Sequence, residues 1–243
     1  MLATPRPLII TWDKLPDDYL LPDDPVDNRT QPALAEALSN ALRSNQYTSD
    51  RSLTATNYAI CATVNGHTVV KAPDWFYVSR FSAEPNEIER SYTPQLQGDF
   101  PIVVMEFLSE TEETEYSVKP THPPGKWFFY EQVLKVPVYI IFEPHQNILE
   151  VYRLDDAGKY QLSTPNDQGY YWLPELKLFL GTWFGHGFER TGHWLRWWDT
   201  NENLLLWSDE QVEQERERAD KERARAEKLL AQLRAAGIDP VEE

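Results

Sequence analysis

The chain has 243 residues, 41% of them hydrophobic and 13% aromatic, and a formal net charge of −16. This composition is enough for one domain with a substantial core and argues against a wholly disordered chain. The charge argues against a broad nucleic-acid-binding face, and the lack of an apolar run of about 18 residues excludes a membrane-spanning helix.

The compartment is suggested by two further features. Cys61 is the single cysteine, so no disulfide can form within one chain. The first residues lack the charged and apolar regions of a secretory signal. We therefore expect a cytoplasmic protein.

The first elements are an extended arm and a helix. Proline and aspartate are frequent in residues 1–30, which we interpret as an arm laid over the domain. Residues 31–44 carry apolar side chains at helical spacing, with Thr30 as a candidate N-cap. The pattern predicts an amphipathic helix with Glu36 and Arg43 facing solvent.

A hairpin and a strand come next. Residues 58–64 and 67–70 are predicted strands, because Asn65-Gly66 between them is a strong two-residue hairpin signal. Residues 75–78 form a further predicted strand, and Asp74 stands at its start, directly after a proline. Since Pro-Asp is a common turn pair, a turn-forming role for Asp74 is the alternative to a functional one.

The most apolar strand lies in the middle of the chain. Residues 102–105 read Ile-Val-Val-Met and are typical of a strand buried on both faces. Glu106 follows where an interior strand should still be apolar. A buried ionised carboxylate must be paired, protonated or metal-bound, so the local pattern alone favours a strand that reaches the surface at Glu106.

The second half contains a helix, further strands and a long charged segment. Residues 125–136 are predicted to be helical, with Lys126 and Lys135 at the two ends. Predicted strands follow at 138–142, 148–154, 170–173, 177–183 and 194–198. The order of elements predicts an α/β or α+β fold in which helices flank a mixed β-sheet.

The last predicted element is a helix over residues 208–237. Ser208 and Gln211 form a candidate capping box, and Gly237 is placed to end the helix. Apolar residues recur every seven positions, but the second seam position holds glutamates before Leu229. We therefore expect a projecting, charge-stabilised helix, at most a weak coiled coil that supports a homodimer or a protein partner.

One set of residues points to phosphodiester chemistry. Asp74 and Glu106 lie on neighbouring predicted strands, and two such carboxylates can hold Mg²⁺, which prefers oxygen ligands. A nearby lysine could orient the attacking water. The set resembles the PD-(D/E)XK nuclease superfamily, in which Asp and then Glu-x-Lys line one edge of a small mixed sheet.

A closer resemblance is to the Uma-type family of putative restriction endonucleases. It is carried by Lys-Ala-Pro-Asp at 71–74, Val-Met-Glu-Phe-Leu-Ser at 104–109, Gly-Lys-Trp-Phe-Phe-Tyr-Glu at 125–131, Val-Tyr-Ile-Ile-Phe-Glu-Pro at 138–144, Leu-Glu-Val-Tyr-Arg-Leu at 149–154, Trp-Leu-Arg-Trp-Trp at 194–198 and Leu-Arg-Ala-Ala-Gly-Ile-Asp-Pro at 233–240. The resemblance covers most of the chain and implies a restriction-endonuclease-like domain over residues 31–207.

The resemblance also implies the site. It assigns Asp74 and Glu106 as ligands of Mg²⁺ or Mn²⁺ and DNA as the substrate of an endonuclease. Leu108 occupies the position where the motif lysine is expected, so the resemblance indicates Lys126 from the following helix, with Lys119 as second choice. The alternative function is that of a degenerate nuclease fold, a non-catalytic interaction module acting through its C-terminal helix.

Other constellations are weaker. His186 and His193 lack the spacing of a helical metal-ligand pair, and His122 and His145 lie in predicted loops. There is no Gly-rich phosphate loop and no Gly-x-Ser-x-Gly elbow. We interpret His186 and His193 as structural or surface residues.

Overall fold

The computed structural model describes residues 8–14, 30–108 and 114–236. They divide into two compact units, residues 1–205 and 206–243. Most of the predicted arm and residues 237–240, including the helix end expected at Gly237, lie outside the described residues. Only residues 8–14 of the arm are described, and they contribute a short strand.

The described residues of the first unit form twelve strands and two helices. The strands are β1 (Ile10–Thr11), β2 (Leu53–Ala55), β3 (Ile60–Val64), β4 (His67–Lys71), β5 (Trp75–Val78), β6 (Val103–Phe107), β7 (Val138–Glu143), β8 (Ile148–Leu154), β9 (Tyr160–Leu162), β10 (Tyr171–Leu173), β11 (Leu178–Gly187) and β12 (Arg190–Trp198). The helices are α1 (Thr30–Ser44) and α2 (Lys126–Phe128), and α2 continues as a π-helical segment, Phe129–Leu134. Short 3₁₀ turns occupy Pro85–Ile88 and Thr114–Tyr116.

A six-stranded mixed sheet forms the centre of the unit. Its strand order is β2-β5-β6-β7-β8-β9. Strands β6 and β7 are parallel, and the other four neighbouring pairs are antiparallel. A parallel pair requires a crossover, and α2 lies in the connection between these two strands. The predicted mixed α+β fold is confirmed.

Elements pack on both faces of this sheet. On one face, Trp75 of β5 donates a hydrogen bond from Nε1 to Ser39 Oγ of α1 at 2.8 Å, and its ring lies 6.1 Å from that of Trp197 in β12. On the other face, Val104 and Tyr139 pack in the same core cluster as Tyr130 of the π-helical segment. The central strands are therefore buried on both sides, as their apolar sequence predicts.

Helix α1 and the first hairpin agree with the sequence analysis. The apolar residues of α1 are buried, whereas Glu36 and Arg43 are exposed and form an ion pair at 2.5 Å. Asn65 and Gly66 join β3 to β4 with φ values of 53° and 79°. Both angles are typical of the two-residue hairpin turn that Asn-Gly favours.

The hairpin of β11 and β12 is longer than the sequence predicts. Nine residue pairs join these strands, from Phe179 opposite Trp198 to Gly187 opposite Arg190. Its turn consists of Phe188 and Glu189, with φ values of 45° and 58°. Bulky residues rarely adopt these angles, unlike Asn and Gly. The sequence therefore contains no hairpin-turn signal at this position. Strands β2 and β9 were also missed.

The predicted helix over residues 125–136 is confirmed over Lys126–Leu134, but most of it is π-helical rather than α-helical. After three α-helical residues the backbone continues as a π-helical segment, in which the Lys135 N–H bonds to Tyr130 O, five residues earlier. Lys135, with φ at 52°, ends it in the left-handed region. Periodicity predicts that these residues are helical, but it does not distinguish a π-helical segment from an α-helix.

The second unit contains the predicted charged helix, α3 (Ser208–Ala235). None of its residues is buried, and ion pairs run along it, such as Lys221 with Glu217 at 3.3 Å. The predicted capping box is displaced by one residue, because the carboxylate of Glu210 accepts the Trp207 N–H at 2.7 Å. Among the described residues, no helix has the length and apolarity needed to cross a membrane.

Candidate active site

The ends of β5 and β6 bring Asp74 and Glu106 together. The antiparallel register pairs Trp75 with Met105, and one step further along the same register Asp74 lies opposite Glu106. Directly opposed residues point to the same face of a sheet. Asp74 Oδ2 also accepts the backbone N–H of Phe107 at 2.5 Å. The register therefore places Asp74 and Glu106 on the same face of the sheet, near the start of β5 and the end of β6.

Glu106 does not reach the surface. Its relative exposure is 0%, so the interpretation favoured by the local strand pattern is wrong. Both of its carboxylate oxygens are hydrogen-bonded: Oε2 accepts from Lys126 Nζ at 3.1 Å, and Oε1 accepts from the Tyr130 hydroxyl at 2.9 Å. Lys126 and Tyr130 are four residues apart, the spacing at which helical side chains share a face.

A third carboxylate, that of Glu115, also lies beside Lys126. We refer to Asp74, Glu106, Glu115 and Lys126 together as the carboxylate cluster. Glu115, in the turn Thr114–Tyr116, is 2% exposed, and its Oε1 lies 3.2 Å from Lys126 Nζ. The sequence analysis did not single out Glu115, because it is one of several acidic residues in an irregular stretch. It also missed Tyr130, although four-residue spacing from Lys126 is a signal that could have found it.

Close backbone packing positions the Glu115 turn. The hydroxyl of Tyr139 donates to Glu115 O at 3.0 Å, and Phe128 N–H donates to Ser117 O at 3.3 Å. A Cβ atom added to Gly125 would lie 2.0 Å from Ser117 O. This distance is too short for any residue with a side chain at position 125. Gly125 therefore permits the contact that brings Glu115 to Lys126.

The electrostatics couple these groups. Burial raises the pKa of Glu106 above its ordinary value, and nearby Glu115 adds to this, while Lys126 and the Tyr130 hydroxyl only partly oppose it. Burial by itself lowers the pKa of Lys126, but Glu106, Glu115 and Asp74 outweigh that effect, so the pKa is raised. Lys126 is therefore a stable ammonium group among carboxylates.

The structure distinguishes between the two candidate lysines. Lys126 reaches two carboxylates, whereas Lys119 is exposed and its carbonyl accepts the Gly125 N–H at 2.9 Å. Leu108, where the motif lysine is expected, packs against the core instead. Of the two candidate lysines, Lys126 at the start of α2 is the one whose ammonium group contacts these carboxylates.

The histidines lie in other local contacts. His186 bonds to the Thr191 hydroxyl at 2.9 Å, His193 to Pro144 O at 3.1 Å, and the His122 ring stacks on that of His67 at 4.9 Å. His145 is exposed. None of these contacts involves Asp74 or Glu106.

The donor set is suited to a hard cation. Asp74 and Glu106 offer carboxylate oxygens, the ligand type that hard divalent cations prefer. Across residues 8–14, 30–108 and 114–236, no group of three or more His, Cys, Asp or Glu side chains is placed to hold a metal ion. Mg²⁺ usually takes one or two carboxylates and completes its shell with water and substrate phosphate, so the residues present fit this ion.

Comparison with known protein families identifies the family of the chain. The family model Uma2, described as putative restriction endonuclease, matches residues 20–184. The chain belongs to the Uma2 family. The matched range includes Asp74, Glu106, Glu115, Lys126 and Tyr130. No curated protein matches the chain.

Membership of the Uma2 family indicates a nuclease function and a nucleic acid as substrate. Restriction-endonuclease-like enzymes generally use divalent metal ions. The family match ends before β12 and before α3, which begins at Ser208. The Uma2 model therefore covers the central sheet and its carboxylate cluster but not the charged helix.

Proposed function

We propose that this protein is a Mg²⁺-dependent endonuclease that hydrolyses phosphodiester bonds in nucleic acid, with DNA as its substrate. The observation that carries the proposal is the ion pair between Lys126 Nζ and the fully buried carboxylate of Glu106, which lies opposite Asp74. In this proposal Asp74 and Glu106 supply oxygen ligands for a divalent cation, and Lys126 supplies a hydrogen-bond donor for a phosphate.

Each residue has a distinct role in this proposal. Asp74 and Glu106 hold the divalent ion, and Mn²⁺ would serve in place of Mg²⁺. The chemistry supplied by such an ion is neutralisation of phosphate charge and a lowered pKa of water. Lys126 is a hydrogen-bond donor only. It orients the attacking water and stabilises the negative charge that develops on the phosphate.

Two further groups position Lys126 and Glu106. The Tyr130 hydroxyl holds Oε1 of Glu106 at 2.9 Å, which fixes the rotation of the carboxylate. Glu115 also pairs with the ammonium group of Lys126, at 3.2 Å. Preorganised groups of this kind need little rearrangement at the moment of reaction.

A cleavage assay tests the proposal. The wild-type protein, with Mg²⁺ and then with EDTA, is incubated with linear and circular DNA. We expect metal-dependent internal cleavage, lost in Glu106→Gln and Lys126→Met and retained in Lys119→Met. Cleavage that persists in Glu106→Gln, or that needs no divalent ion, would contradict the proposal.

A second candidate function rests on α3. Three leucines near the end of this helix are exposed, Leu229 by 51%, Leu230 by 38% and Leu233 by 37%. Exposed apolar residues on a helix favour pairing with a protein partner or a second copy. In this proposal the chain is a non-catalytic interaction module. Absence of cleavage, together with self-association or partner binding, would support it.

A further inference from the structure

Two aromatic residues directly follow two residues of the candidate active site. Tyr116 follows Glu115, and Trp127 follows Lys126. Their rings stack with centroids 6.3 Å apart and an angle of 27° between planes. Glu115 and Lys126, which meet in an ion pair, are therefore each followed in the chain by one ring of this stacked pair.

This ring pair is held rigidly. Trp127 contacts three tyrosine rings edge-on: Tyr152 at 4.7 Å, Tyr160 at 5.4 Å and Tyr139 at 5.7 Å. The Tyr116 hydroxyl donates to Glu150 Oε2 at 2.7 Å, and the Tyr152 hydroxyl donates to the same oxygen at 2.9 Å. The position of the Tyr116 ring is therefore fixed by the stacked indole and by its hydroxyl.

Tyr116 nevertheless remains 40% exposed. Because one side of the ring stacks on Trp127, the remaining surface is available to a ligand. Aromatic rings fixed in this way bind the flat faces of nucleobases, and such stacking is largely independent of base identity. In a paired duplex those faces are covered by neighbouring bases, so stacking of this kind requires an unpaired base.

The charge of the chain supports the same substrate. Affinity for duplex DNA depends mainly on cationic side chains that release counterions from phosphates. A chain with a net charge of −16 is poorly suited to binding duplex DNA through phosphate contacts. Base stacking adds binding energy that does not come from phosphate contacts.

We propose that Tyr116 stacks an unpaired nucleobase next to the phosphate held at the carboxylate cluster. The substrate class would then be single-stranded nucleic acid or unpaired segments within a duplex. This inference rests on the proposed nuclease function, but it is tested through binding and can fail separately from it.

The test measures binding of the full chain to a 5′-fluorescein-labelled oligonucleotide of about 20 nucleotides by anisotropy, single-stranded and annealed to its complement. Ca²⁺ replaces Mg²⁺, and gel analysis verifies that the oligonucleotide stays intact. We expect preference for the single strand, and binding weakened about tenfold or more in Tyr116→Ala. Tyr116→Phe keeps the ring and should bind within about threefold of wild type.

A matched control is Phe184→Ala, which removes an exposed aromatic ring from β11 and should leave binding unchanged. A 2-aminopurine base in the single strand should lose fluorescence on binding to wild type and regain it in Tyr116→Ala. Equal binding by wild type and Tyr116→Ala, equal losses in Tyr116→Ala and Phe184→Ala, or preference for duplex would overturn the inference. Duplex cleavage without any Tyr116 effect would do so while leaving the nuclease proposal intact.

Discussion

Lys126 Nζ lies 3.1 Å from Glu106 Oε2, although the two residues are 20 positions apart and belong to different elements. The side chain of Lys126 is 21% exposed and that of Glu106 is 0% exposed. A buried carboxylate is costly unless it is paired, so the pair makes the polar residue at the end of β6 compatible with folding. In the proposed nuclease, the same pair supplies the ammonium group of the site.

The role of Lys126 can be separated from metal binding. In Lys126→Met the carboxylates of Glu106 and Glu115 lose their cation, so we expect a loss of about 1–3 kcal/mol in the free energy of unfolding. Divalent ions should restore part of this stability but none of the cleavage. Urea unfolding with and without Mg²⁺, together with a cleavage assay, measures both effects.

The control for this prediction is Lys119→Met, because Lys119 is exposed and lies in the same connection. It should change stability by no more than about 0.5 kcal/mol and keep activity. Activity retained in Lys126→Met and lost in Lys119→Met would reverse the assignment of the lysine.

Glu106 gives a pH dependence with a definite sign. Its pKa in the folded protein is raised above its ordinary value of 4.5, so the folded state binds this proton more tightly than the unfolded state. Stability is therefore lost as pH rises from about 4.5 through the folded pKa. Glu106→Gln cannot ionise, and in EDTA it should gain stability relative to wild type across that window, by about 1.4 kcal/mol per pKa unit.

Glu131 provides a control of opposite sign. Burial tends to raise its pKa, but the Tyr160 N–H, Lys159 and Gln132 outweigh burial, so its pKa is lowered. Glu131→Gln should therefore lose stability relative to wild type as pH rises through the lowered pKa to 4.5. Urea unfolding in pH steps checks both variants, and parallel curves for wild type and Glu106→Gln would contradict the Glu106 prediction.

Divalent ions should stabilise the folded protein. If Mg²⁺ or Mn²⁺ binds only the folded state, the free energy of unfolding rises by about 2.7 kcal/mol at a concentration a hundredfold above Kd. Asp74→Ala should abolish the rise, and Asp74→Asn should weaken it while keeping an acceptor for the Phe107 N–H. Melting curves at increasing metal concentration make the measurement, and an unchanged response in Asp74→Ala would place the ion elsewhere.

Gly125 should be essential to the active-site geometry. In Gly125→Ala the new Cβ would lie 2.0 Å from Ser117 O, so the Glu115 turn must move away from Lys126. We expect a loss of stability of about 2 kcal/mol or more, with reduced cleavage. Gly158→Ala is the control, because its Cβ would meet nothing within 4 Å. It should cost about 1 kcal/mol for its positive φ and keep cleavage.

The long helix should be dispensable for folding of the first unit. Because none of the residues of α3 is buried, deleting residues 208–243 should leave the cooperative unfolding of the domain in place. Self-association or partner binding should change instead, with salt-sensitive pairing centred on Leu229, Leu230 and Leu233. Sedimentation of both forms measures this, and a truncated protein that fails to fold would contradict the interpretation of α3 as a projecting helix.

The sequence by itself determined most of the local structure. Periodicity predicted α1 and α3, Asn65-Gly66 predicted the first hairpin, and uninterrupted apolar runs predicted β6 and β7. These signals are local, since each depends on residues that are adjacent or one helical turn apart. The same signals missed the turn at Phe188–Glu189, where two bulky residues adopt positive φ.

Only the tertiary structure decided how the site is assembled. The sequence predicted Asp74 and Glu106 together and left Lys126 and Lys119 as alternatives. It assigned no role to Glu115 and could not show that Glu106 is buried. The reason is physical: the burial of a carboxylate depends on which helix packs over the strand, and the parallel pairing of β6 with β7 determines where the connecting residues place Lys126.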